Sequence, residues 1–420
     1  MKSVTKKISC RLCEKKKLIQ SIDLGNSPLA NQFLDIPIKN KTYPLKVMRC
    51  AYCNHLQLSH VVDKRKLFSK YLFVSSTSLT NLKHFQRYAM ECTRRFIKKK
   101  SKILDIASND GSFLKFFDKS NIRVGIDPAK NINPKNNLSK YFIEKSFFSY
   151  LESKYLKNKY GQFDLITANN VCAHVDNFYN FIKGVKNILK IDGVFIFEVG
   201  YFNDVHKNKT FDTIYHEHLD YHLFIPLINF FKKMEMEIFD VKNIFIQGGS
   251  LRVYVSHLNQ RTVNIRNINK IIKKEKEVNY SNSKLYCKYQ KFIDDQKKKL
   301  TKNIKFLKSK NYKIAGYGAS AKSTTFLNYF EIGSKDLDFI ADLNKLKQFK
   351  YSPGSNIKIL PPSEIYKKNI NYLLILSWNF SKEIINQNIN FLNLGGIFII
   401  PYPKIIFVNI NNYKKIIKNL

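Results

Sequence analysis

Short apolar segments alternate with amphipathic ones through the middle of the chain. The pattern predicts buried strands at 103–106, 124–127, 164–168 and 194–198, and a helix that opens at 111–117 after the first strand. Strands that alternate with helices form parallel sheets covered by helices on both faces. The central part of the chain is therefore predicted to be an α/β fold with a doubly wound sheet.

Helical periodicity occurs on both sides of this central part. A run at 81–99 precedes the first strand, a charged stretch at 262–310 follows the last one, and a further helix is predicted to begin at Ala321. The strands of this last part are predicted at 313–316, 337–341, 372–376 and 396–400. The pattern predicts a second α/β unit that follows a connector helix.

Two cysteine pairs mark the N-terminal part of the chain: Cys10 with Cys13, and Cys50 with Cys53. Two CxxC pairs can place four thiolates around one tetrahedral ion, and zinc is the ion that this ligand set prefers. A site closed by four thiolates leaves no open position, so the zinc is expected to be structural. A segment as short as 10–60 builds little core of its own, which fits a metal-stapled module.

Charge bears on the choice of partner. The chain has 72 Lys and Arg against 32 Asp and Glu, a formal net charge of +40, which by itself suggests an anionic partner such as nucleic acid. The lysines, however, are spread over the whole chain together with many Asn and Ile. A specific nucleic-acid surface would instead cluster Arg and aromatic residues on one element. We therefore expect no nucleic-acid partner.

Apolar runs and cysteine usage bear on location. No uncharged apolar run is long enough to span a membrane, and no secretory signal is evident, so no membrane partner is expected. The cysteines number seven, an odd count, and four of them form close pairs. These features indicate a reducing, cytoplasmic setting with metal binding rather than disulfides.

Acidic residues and a small-residue loop surround the first two predicted strands of the centre. Asp105 ends the first strand, Asn109 and Gly111 lie in the loop that follows, and Asp127 ends the second strand. An acid about twenty residues after the first is typical of a nucleotide cofactor site, where it binds ribose hydroxyls. The loop lacks GxGxxG, which favours S-adenosylmethionine over NAD. The alternative is an ordinary turn between strand and helix.

Polar residues also follow the later strands. Asn169, Asn170 and His174 come after the strand at 164–168, and the carboxyl ends of parallel strands face the ligand. A lone histidine is more often structural, but the position of His174 favours a functional role. In the second α/β unit, the glycine loop and lysine of 316–322 could hold a phosphate at a helix start, although the loop is not a Walker motif.

The sequence Tyr215-His216-Glu217-His218 concentrates groups that can exchange protons. In a helix Tyr215 and His218 would share a face, whereas in an extended chain His216 and His218 would do so. A second metal site is less favoured because the HExxH spacing is missing. A solvated, histidine-rich surface loop is the structural alternative.

Taken together, these motifs resemble the sugar C-methyltransferases that act on nucleotide-linked deoxyketosugars. The resemblance runs along nearly the whole chain and rests on these pieces: the two CxxC pairs, Asp23-Leu24-Gly25, Pro28-Leu29-Ala30-Asn31, Tyr71-x-Phe73-x-Ser75-Ser76, the loop 105–111, Asn169-Asn170-Val171, Tyr215-His216-Glu217-His218 and the loop 316–322. It implies a zinc-binding module at 1–70, a methyltransferase domain that binds S-adenosylmethionine at 71–258, and a connector helix with a Rossmann-like domain at 259–420.

The resemblance also implies roles for single residues. The cofactor would be bound by residues of the loop and of the two strand ends: Asp105, Ala107, Asn109, Gly111, Asp127, Asn169 and Asn170. The reacting sugar carbon would be surrounded by His174, Tyr215, Glu217, His218 and Tyr71. Ala107 stands where the family often has glycine, which is harmless if its φ is negative. Phe73 and Asp220 stand where hydroxyl residues are frequent, which leaves the substitution of the sugar open.

The chemistry expected from this resemblance is carbon methylation beside a keto group. His218, supported by Glu217, would remove the proton, and Tyr215 or His174 would bind the enolate oxygen. The main alternative makes Tyr215 the base. The partner would be a nucleotide-linked ketosugar, and the chain is expected to be a monomer or a weak homo-oligomer. An RNA or small-molecule methyltransferase with a structural zinc ribbon is the competing function.

Overall fold

The computed structural model describes residues 4–68, 75–77, 79–131, 141–245 and 248–420, so Tyr71 and Phe73 lie outside the described residues. The chain forms two compact units, each assembled from three separate stretches. The first unit contains Met1–Ile19, Met48–Asp204 and Leu219–Ser281, and the second contains Gln20–Val47, Val205–His218 and Asn282–Leu420. Each unit is described below by itself.

In chain order, the strands of the described residues are β1 (Val4–Lys6), β2 (Leu18–Pro28), β3 (Thr42–Cys50), β4 (Leu56–Leu58), β5 (His60–Val62), β6 (Lys102–Ile106), β7 (Ile122–Ile126), β8 (Tyr141–Glu144), β9 (Phe163–Asn169), β10 (Leu189–Gly200), β11 (Asp220–Tyr221), β12 (Met236–Ile244), β13 (Ser250–His257), β14 (Ile314–Tyr317), β15 (Ile340–Ala341), β16 (Ile359–Leu360), β17 (Tyr372–Ile375), β18 (Ile397–Ile400) and β19 (Ile406–Val408).

The α-helices are α1 (Lys64–Phe68), α2 (Leu79–Phe96), α3 (Tyr150–Tyr160), α4 (Phe178–Ile188), α5 (Phe202–Asn208), α6 (Phe224–Lys233), α7 (Ile265–Val278), α8 (Ser283–Ser309), α9 (Ala321–Phe330), α10 (Glu364–Lys367), α11 (Ser381–Gln387), α12 (Ile389–Asn393) and α13 (Tyr413–Asn419). Short 3₁₀ helices occur at Ser75–Thr77, Leu114–Phe116, Phe211–Thr213 and Trp378–Phe380. Among the helices of the described ranges, none is long and apolar enough to cross a membrane.

The first unit contains a seven-stranded sheet of order β12-β13-β10-β9-β6-β7-β8. The strands from β10 to β8 run parallel, and β13 and β12 are antiparallel additions at one edge. The inner strands are almost wholly buried because their residues are apolar on both faces, as in sheets covered by helices on both sides. The four predicted central strands are therefore confirmed.

The helix predicted at 111–117 is wrong, since only the 3₁₀ turn Leu114–Phe116 forms there. Gly111 has a φ of +73° and Asn109 a φ of +53°, which are left-handed conformations that a helix cannot contain. Asp110 Oδ1 also accepts from the backbone N–H of Ser112 at 3.1 Å, a local turn that competes with helix formation. The loop instead ends with Phe113, which packs under Tyr88 of α2 with ring centroids 4.9 Å apart.

The second unit contains a six-stranded sheet of order β16-β15-β14-β17-β18-β19, parallel except for the last pair. Its core is the apolar face of β14, β17 and β18 together with apolar side chains of the helices that cover it. The predicted strands and the helix that begins at Ala321 are confirmed, although the strand expected at 337–341 is reduced to Ile340–Ala341. The α/β architecture with two mainly parallel sheets and an N-terminal cysteine cluster agrees with the predicted fold class.

Candidate functional site

The four paired cysteines converge in the first unit. Their sulfur atoms all lie within 4.8 Å of one another, with Cys10 Sγ 3.6 Å from Cys53 Sγ and Cys13 Sγ 3.5 Å from Cys50 Sγ. A tetrahedral zinc with Zn–S bonds of about 2.3 Å needs sulfur separations of about 3.8 Å, so this arrangement fits the ion. With four thiolates the site is closed, and the ion would be structural.

The two CxxC turns have the same backbone. Each ends in a left-handed residue, Glu14 with a φ of +64° or Asn54 with a φ of +62°. The N–H of that residue donates to the carbonyl of the first cysteine of its pair, at 3.0 Å in both turns. Cys13 N–H also donates to Cys10 Sγ at 3.5 Å. A hydrogen bond from a backbone N–H to sulfur stabilises the negative charge that metal-bound sulfur carries.

The loop after β6 is built around Asp127. Asp127 Oδ2 accepts from the backbone N–H of Asn109 at 2.9 Å, and its Oδ1 accepts from that of Ala129 at 2.8 Å. Burial raises the pKa of this carboxyl. Ala107, in the same loop, has a φ of +57°, so the condition under which alanine would be harmless is not met. A left-handed alanine costs about 1–2 kcal/mol, which indicates that the loop shape is imposed by its surroundings.

Asp105 lies beneath this loop and is buried within the sheet. Thr167 Oγ1 donates to its Oδ1 at 2.7 Å, and Asn169 Nδ2 lies 3.4 Å from the same oxygen. Burial raises the pKa of Asp105 to about 7, and the neighbouring Asp127 acts in the same direction. The structure therefore groups Asp105, Asn109, Asp127 and Asn169 at the carboxyl ends of β6, β7 and β9.

One polar atom of this group lacks a partner within the described ranges, the buried Asn169 Oδ1. Ser108 Oγ also lacks one, but it faces the backbone of β7, since a Cβ on Gly125 would lie 2.4 Å from it. Buried polar groups are normally paired, so Asn169 Oδ1 is a position to which a ligand could donate. The loop is also tightly shaped: a Cβ on Gly111 would come within 2.4 Å of the Tyr141 ring. A nucleoside with hydroxyl and amino groups could supply the missing partners, and the residues present fit S-adenosylmethionine.

His174 lies in the turn after β9, in the same unit. Its backbone N–H donates to Val171 O at 2.8 Å, which closes the turn. Its ring stacks on Phe68, with the centroids 5.6 Å apart and the planes inclined by 23°. The adjacent Asn170 has a φ of +55° and donates its N–H to Glu198 O at 2.9 Å. The side chain of His174 is thus half-buried on the carboxyl side of the sheet.

Tyr215 and His218, in the second unit, form a direct pair. The segment is a turn, neither helical nor extended, and it brings Tyr215 OH within 2.9 Å of His218 Nε2. His218 Nδ1 lies 2.7 Å from Thr213 O, a carbonyl that can only accept, so Nδ1 carries the hydrogen. Desolvation lowers the pKa of His218 to about 4, and the nearby Lys322 ammonium acts in the same direction. The ring is therefore neutral, and its Nε2 accepts from the Tyr215 hydroxyl.

Glu217 lies beside this pair and is buried. Its Oε1 accepts from Asn31 Nδ2 at 2.6 Å. Burial raises the pKa of Glu217 to about 7, while the contact with Asn31 opposes that rise. Asn31 belongs to the Pro28-Leu29-Ala30-Asn31 motif but had been given no role from the sequence.

The second unit also places a charged group near His218. Lys322, from the start of α9, has its pKa lowered by burial, while Asp212 opposes that shift. Asp212 is fully buried, and its Oδ2 accepts from the indole N–H of Trp378 at 2.8 Å. Asp212 Oδ1 has no hydrogen-bond partner among the described residues. Asp212 and Trp378 were missed because no motif marks them.

The glycine loop before α9 differs from the expected phosphate cradle. Asp342 Oδ2 accepts from the Ala319 N–H at 2.6 Å. Ser320 and Ser323 form a reciprocal capping box that uses both of their backbone N–H groups. Three donors are thus already occupied, and a carboxylate stands where an anion would bind. The expectation that this loop holds a phosphate through its amides is therefore wrong for the N–H groups of Ala319, Ser320 and Ser323.

Asp220 is held by the cysteine module of the first unit. Arg11 Nε donates to Asp220 Oδ1 at 2.8 Å, and His55 Nε2 lies 2.9 Å from the same oxygen. Burial alone would raise the pKa of Asp220, but Arg11 and His55 lower it to about 2. Asp220 therefore forms an ion pair with the metal module. Arg11, between two cysteine ligands, was missed because its partner lies far away in sequence.

Three family models match successive parts of the chain. A zinc binding domain matches residues 10–68, a methyltransferase domain matches 82–237, and the C-methyltransferase C-terminal domain matches 245–403. Their order agrees with the cysteine cluster, the central sheet and the second sheet described above. The protein is a C-methyltransferase that depends on S-adenosylmethionine, with a zinc-binding domain at its N-terminus.

The chain is also similar to individual proteins. The chain is 27% identical to the C-methyltransferase NovU of Streptomyces niveus over 94% of its own length and 95% of that protein. Among solved structures, the plantazolicin methyltransferase BpumL in complex with SAH is 15% identical with a TM-score of 0.34, covering 42% of this chain and 84% of that one. An S-adenosylmethionine-dependent methyltransferase of Clostridium acetobutylicum is 16% identical with a TM-score of 0.34, covering 42% and 92%.

Proposed function

We propose that the protein transfers a methyl group to a carbon adjacent to the keto group of a nucleotide-linked deoxysugar. An sp³ C–H is too weak an acid for a side chain unless a neighbouring carbonyl can take the charge as an enolate. The observation that carries the proposal is the Tyr215–His218 pair, in which a neutral imidazole accepts a hydrogen bond from the Tyr215 hydroxyl at 2.9 Å. Because it is neutral, the imidazole can act as a base, while burial and Lys322 disfavour the imidazolium that results.

Two routes would protonate His218 when the substrate carbon loses its proton. In the first, Nε2 takes the proton from carbon directly. In the second, Tyr215 takes the carbon proton while it passes its own proton to Nε2. Both routes end with the same enolate and the same imidazolium, so geometry decides between them. Because the Nε2 lone pair is already engaged by Tyr215, we favour the relay through Tyr215.

The remaining candidates have supporting roles in this proposal. Thr213 O orients the His218 ring, which is the task first given to Glu217. Glu217 is instead assigned a contact with a polar group of the acceptor. His174 is assigned the role of hydrogen-bond donor to the enolate oxygen, where it would stabilise the developing negative charge. Tyr71 keeps its predicted place near the acceptor as a proposal from the resemblance.

The cofactor assignment rests on the group beneath the loop after β6. When bound, S-adenosylmethionine supplies an electrophilic methyl group on its sulfonium. Asp127 would accept hydrogen bonds from the ribose hydroxyls. Each of its carboxylate oxygens has a lone pair beyond the one used by a backbone N–H. Asn169 and Asn170, with Ala107 and Gly111, would complete the site. Asn169 Oδ1 is the atom among them that needs a donor.

The broader expectations are part of the same proposal. Residues 1–70 are assigned as the zinc-binding module, 71–258 as the methyltransferase domain with its substrate elements, and 259–420 as the connector helix and the Rossmann-like domain. The thiols of all seven cysteines are free, which is compatible with a reducing, cytoplasmic setting. A basic surface would favour a substrate that carries a diphosphate. We propose a monomer or weak homo-oligomer without a nucleic-acid partner.

The test is incubation of the enzyme with S-adenosylmethionine and a panel of nucleotide-linked 4-ketosugars in deuterated water, followed by mass spectrometry. A product heavier by one methylene on the sugar would support the proposal. Deuterium at the carbon next to the keto group without methylation would mean that the base acts but the sugar is wrong. Methylation of RNA in a parallel reaction, with no change in any sugar, would overturn the proposal in favour of the competing function.

A further inference from the structure

Arg11 lies between the metal ligands Cys10 and Cys13, but its side chain makes hydrogen bonds to two segments that are distant in sequence. It follows Cys10 in the first CxxC turn, and its side chain is only 4% exposed. The guanidinium donates from Nε to Asp220 Oδ1 at 2.8 Å and from Nη1 to Asp176 Oδ1 at 3.1 Å. Its Nη2 donates to the carbonyl of Val175. One side chain thus has three partners on two separate segments.

Both segments adjoin candidate catalytic residues. Val175 and Asp176 follow His174 directly, and Asp220 comes two residues after His218 in the sequence. The segments are also joined to each other, since the Leu219 N–H donates to Ala173 O at 2.7 Å. They are joined to the metal module as well, because β11 pairs with β4 at Asp220 and Gln57.

We propose that Arg11 is a positioning residue through which the metal-binding turn fixes the His174 loop and the start of β11. A planar guanidinium can hold two carboxylates and a carbonyl in fixed directions, which a lysine ammonium cannot do. The backbone of Arg11 is itself anchored, because its N–H donates to Gln57 Oε1 at 2.8 Å and Cys10 and Cys13 flank it. A zinc ion bound by the cysteines would fix the position of the Arg11 backbone.

The contact with Val175 distinguishes positioning from simple charge pairing. The buried carboxylate of Asp220 is paired with the Arg11 guanidinium, and both Arg11 and His55 contact its Oδ1. The bond to the Val175 carbonyl neutralises no charge, so its effect is to fix the turn that follows His174. Small displacements of a catalytic group cost up to about 100-fold in rate. Arg11 therefore acts on catalysis without contact with substrate, and this role rests on the proposed function of His174.

The test compares Arg11→Lys with Arg65→Lys, a control that replaces the exposed arginine paired with Asp63 in the same module. Zinc content is measured first on both purified proteins. Hydrogen–deuterium exchange then follows peptides 171–176 and 219–222, with peptide 105–112 as the internal reference. For Arg11→Lys we expect unchanged zinc, exchange faster by about tenfold or more in the first two peptides, and no change in the third. Arg65→Lys should match the wild type throughout.

Catalysis provides the second readout. With an accepted ketosugar, kcat of Arg11→Lys should fall about 10- to 100-fold, with KM and the affinity for S-adenosylmethionine nearly unchanged. Unchanged exchange with full zinc content would overturn the proposal. A loss of zinc that accounts for all the other effects would overturn it too, because Arg11 would then only support the metal site.

A milder variant covers the case in which Arg11→Lys does not fold. Asp176, whose side chain is 48% exposed, can be changed to Asn at little risk to the core. In Asp176→Asn, hydrogen–deuterium exchange should be faster than in the wild type in peptide 171–176 and unchanged in peptide 219–222. Exchange rates equal to those of the wild type in both peptides would contradict the proposal. The exchange measurements need no substrate, so they remain decisive even if no ketosugar is turned over and the proposed function fails.

Discussion

Asp105→Asn is expected to make the cofactor-free protein more stable at neutral pH. The pKa of Asp105 is raised by burial from 3.8 to about 7. A carboxyl whose pKa is higher in the folded chain is ionised more easily after unfolding. Ionisation of Asp105 therefore lowers the free energy of unfolding as the pH rises from its pKa in the unfolded chain to its pKa in the folded chain. Above the folded-state pKa the loss is constant. Below pH 4 the group is neutral in both states and has no effect.

The size of this effect follows from the shift. Roughly three pKa units at about 1.4 kcal/mol each give about 4 kcal/mol as an upper limit, because water entry or relaxation reduces the cost of burying a charge. Asn cannot ionise, and its carbonyl can still accept from Thr167 Oγ1. We expect the difference in unfolding free energy between the variant and the wild type to grow by several kcal/mol between pH 4 and pH 8.

Urea unfolding followed by circular dichroism at a series of pH values measures this difference. Trp378, the only tryptophan, lies in the other unit, so its fluorescence would not report on β6. The control is Asp118→Asn, because hydrogen bonds from Ser120 lower the pKa of the exposed Asp118 carboxyl and any slope should have the opposite sign. If the curves of Asp105→Asn and the wild type run parallel from pH 4 to pH 8, the reasoning is refuted.

Three further predictions concern the other candidate residues. Tyr215→Phe should reduce deuterium exchange at the substrate carbon about 100- to 10,000-fold with unchanged circular dichroism, and near-normal exchange would favour direct attack by His218. Asp127→Asn should weaken binding of S-adenosylmethionine at least about tenfold in calorimetry, because a charged acceptor is lost; equal affinity would remove Asp127 from the site. The pKa of His218 is lowered from 6.5 to about 4, so its protonation favours unfolding, and the stability of the wild type relative to His218→Gln should fall as the pH is lowered from 6.5 to 4. The comparison with the variant removes the opposite contribution of Glu217, whose pKa is raised to about 7. Trp378 fluorescence during thermal unfolding measures this, and a flat profile would contradict it.

Local patterns explain why much of the fold was predictable. The central strands are continuous apolar runs, and burial on both faces leaves few alternatives for such runs. The helix expected after β6 failed because left-handed Asn109 and Gly111 follow from the packing of the loop rather than from the apolar spacing. Strands β12 and β13 were not among the predicted strands.

The candidate site was predictable where residues act close together in sequence. Tyr215 and His218 were expected to meet if the segment were helical, and a turn brings them together instead. Contacts between distant residues left no local signal. Arg11 and Asp220 are 209 positions apart, and nothing in either neighbourhood identifies the other as its partner. Glu217 and Asn31 are likewise 186 positions apart, so the role of Asn31 became visible only in the folded chain.

The composition of the second unit limits how enzymes of this kind can be recombined to change the substrates they accept. A chimera cut at residue 259, the boundary suggested by sequence, would exchange Trp378 but leave its partner Asp212 behind. It would also separate Thr325 Oγ1 from Ile214 O, which it contacts at 2.9 Å. An exchange that preserves these bonds must carry 20–47 and 205–218 along with the C-terminal part. The Tyr215–His218 pair is then exchanged together with the C-terminal fold, so the proposed proton-transfer pair would come from the donor of that fold.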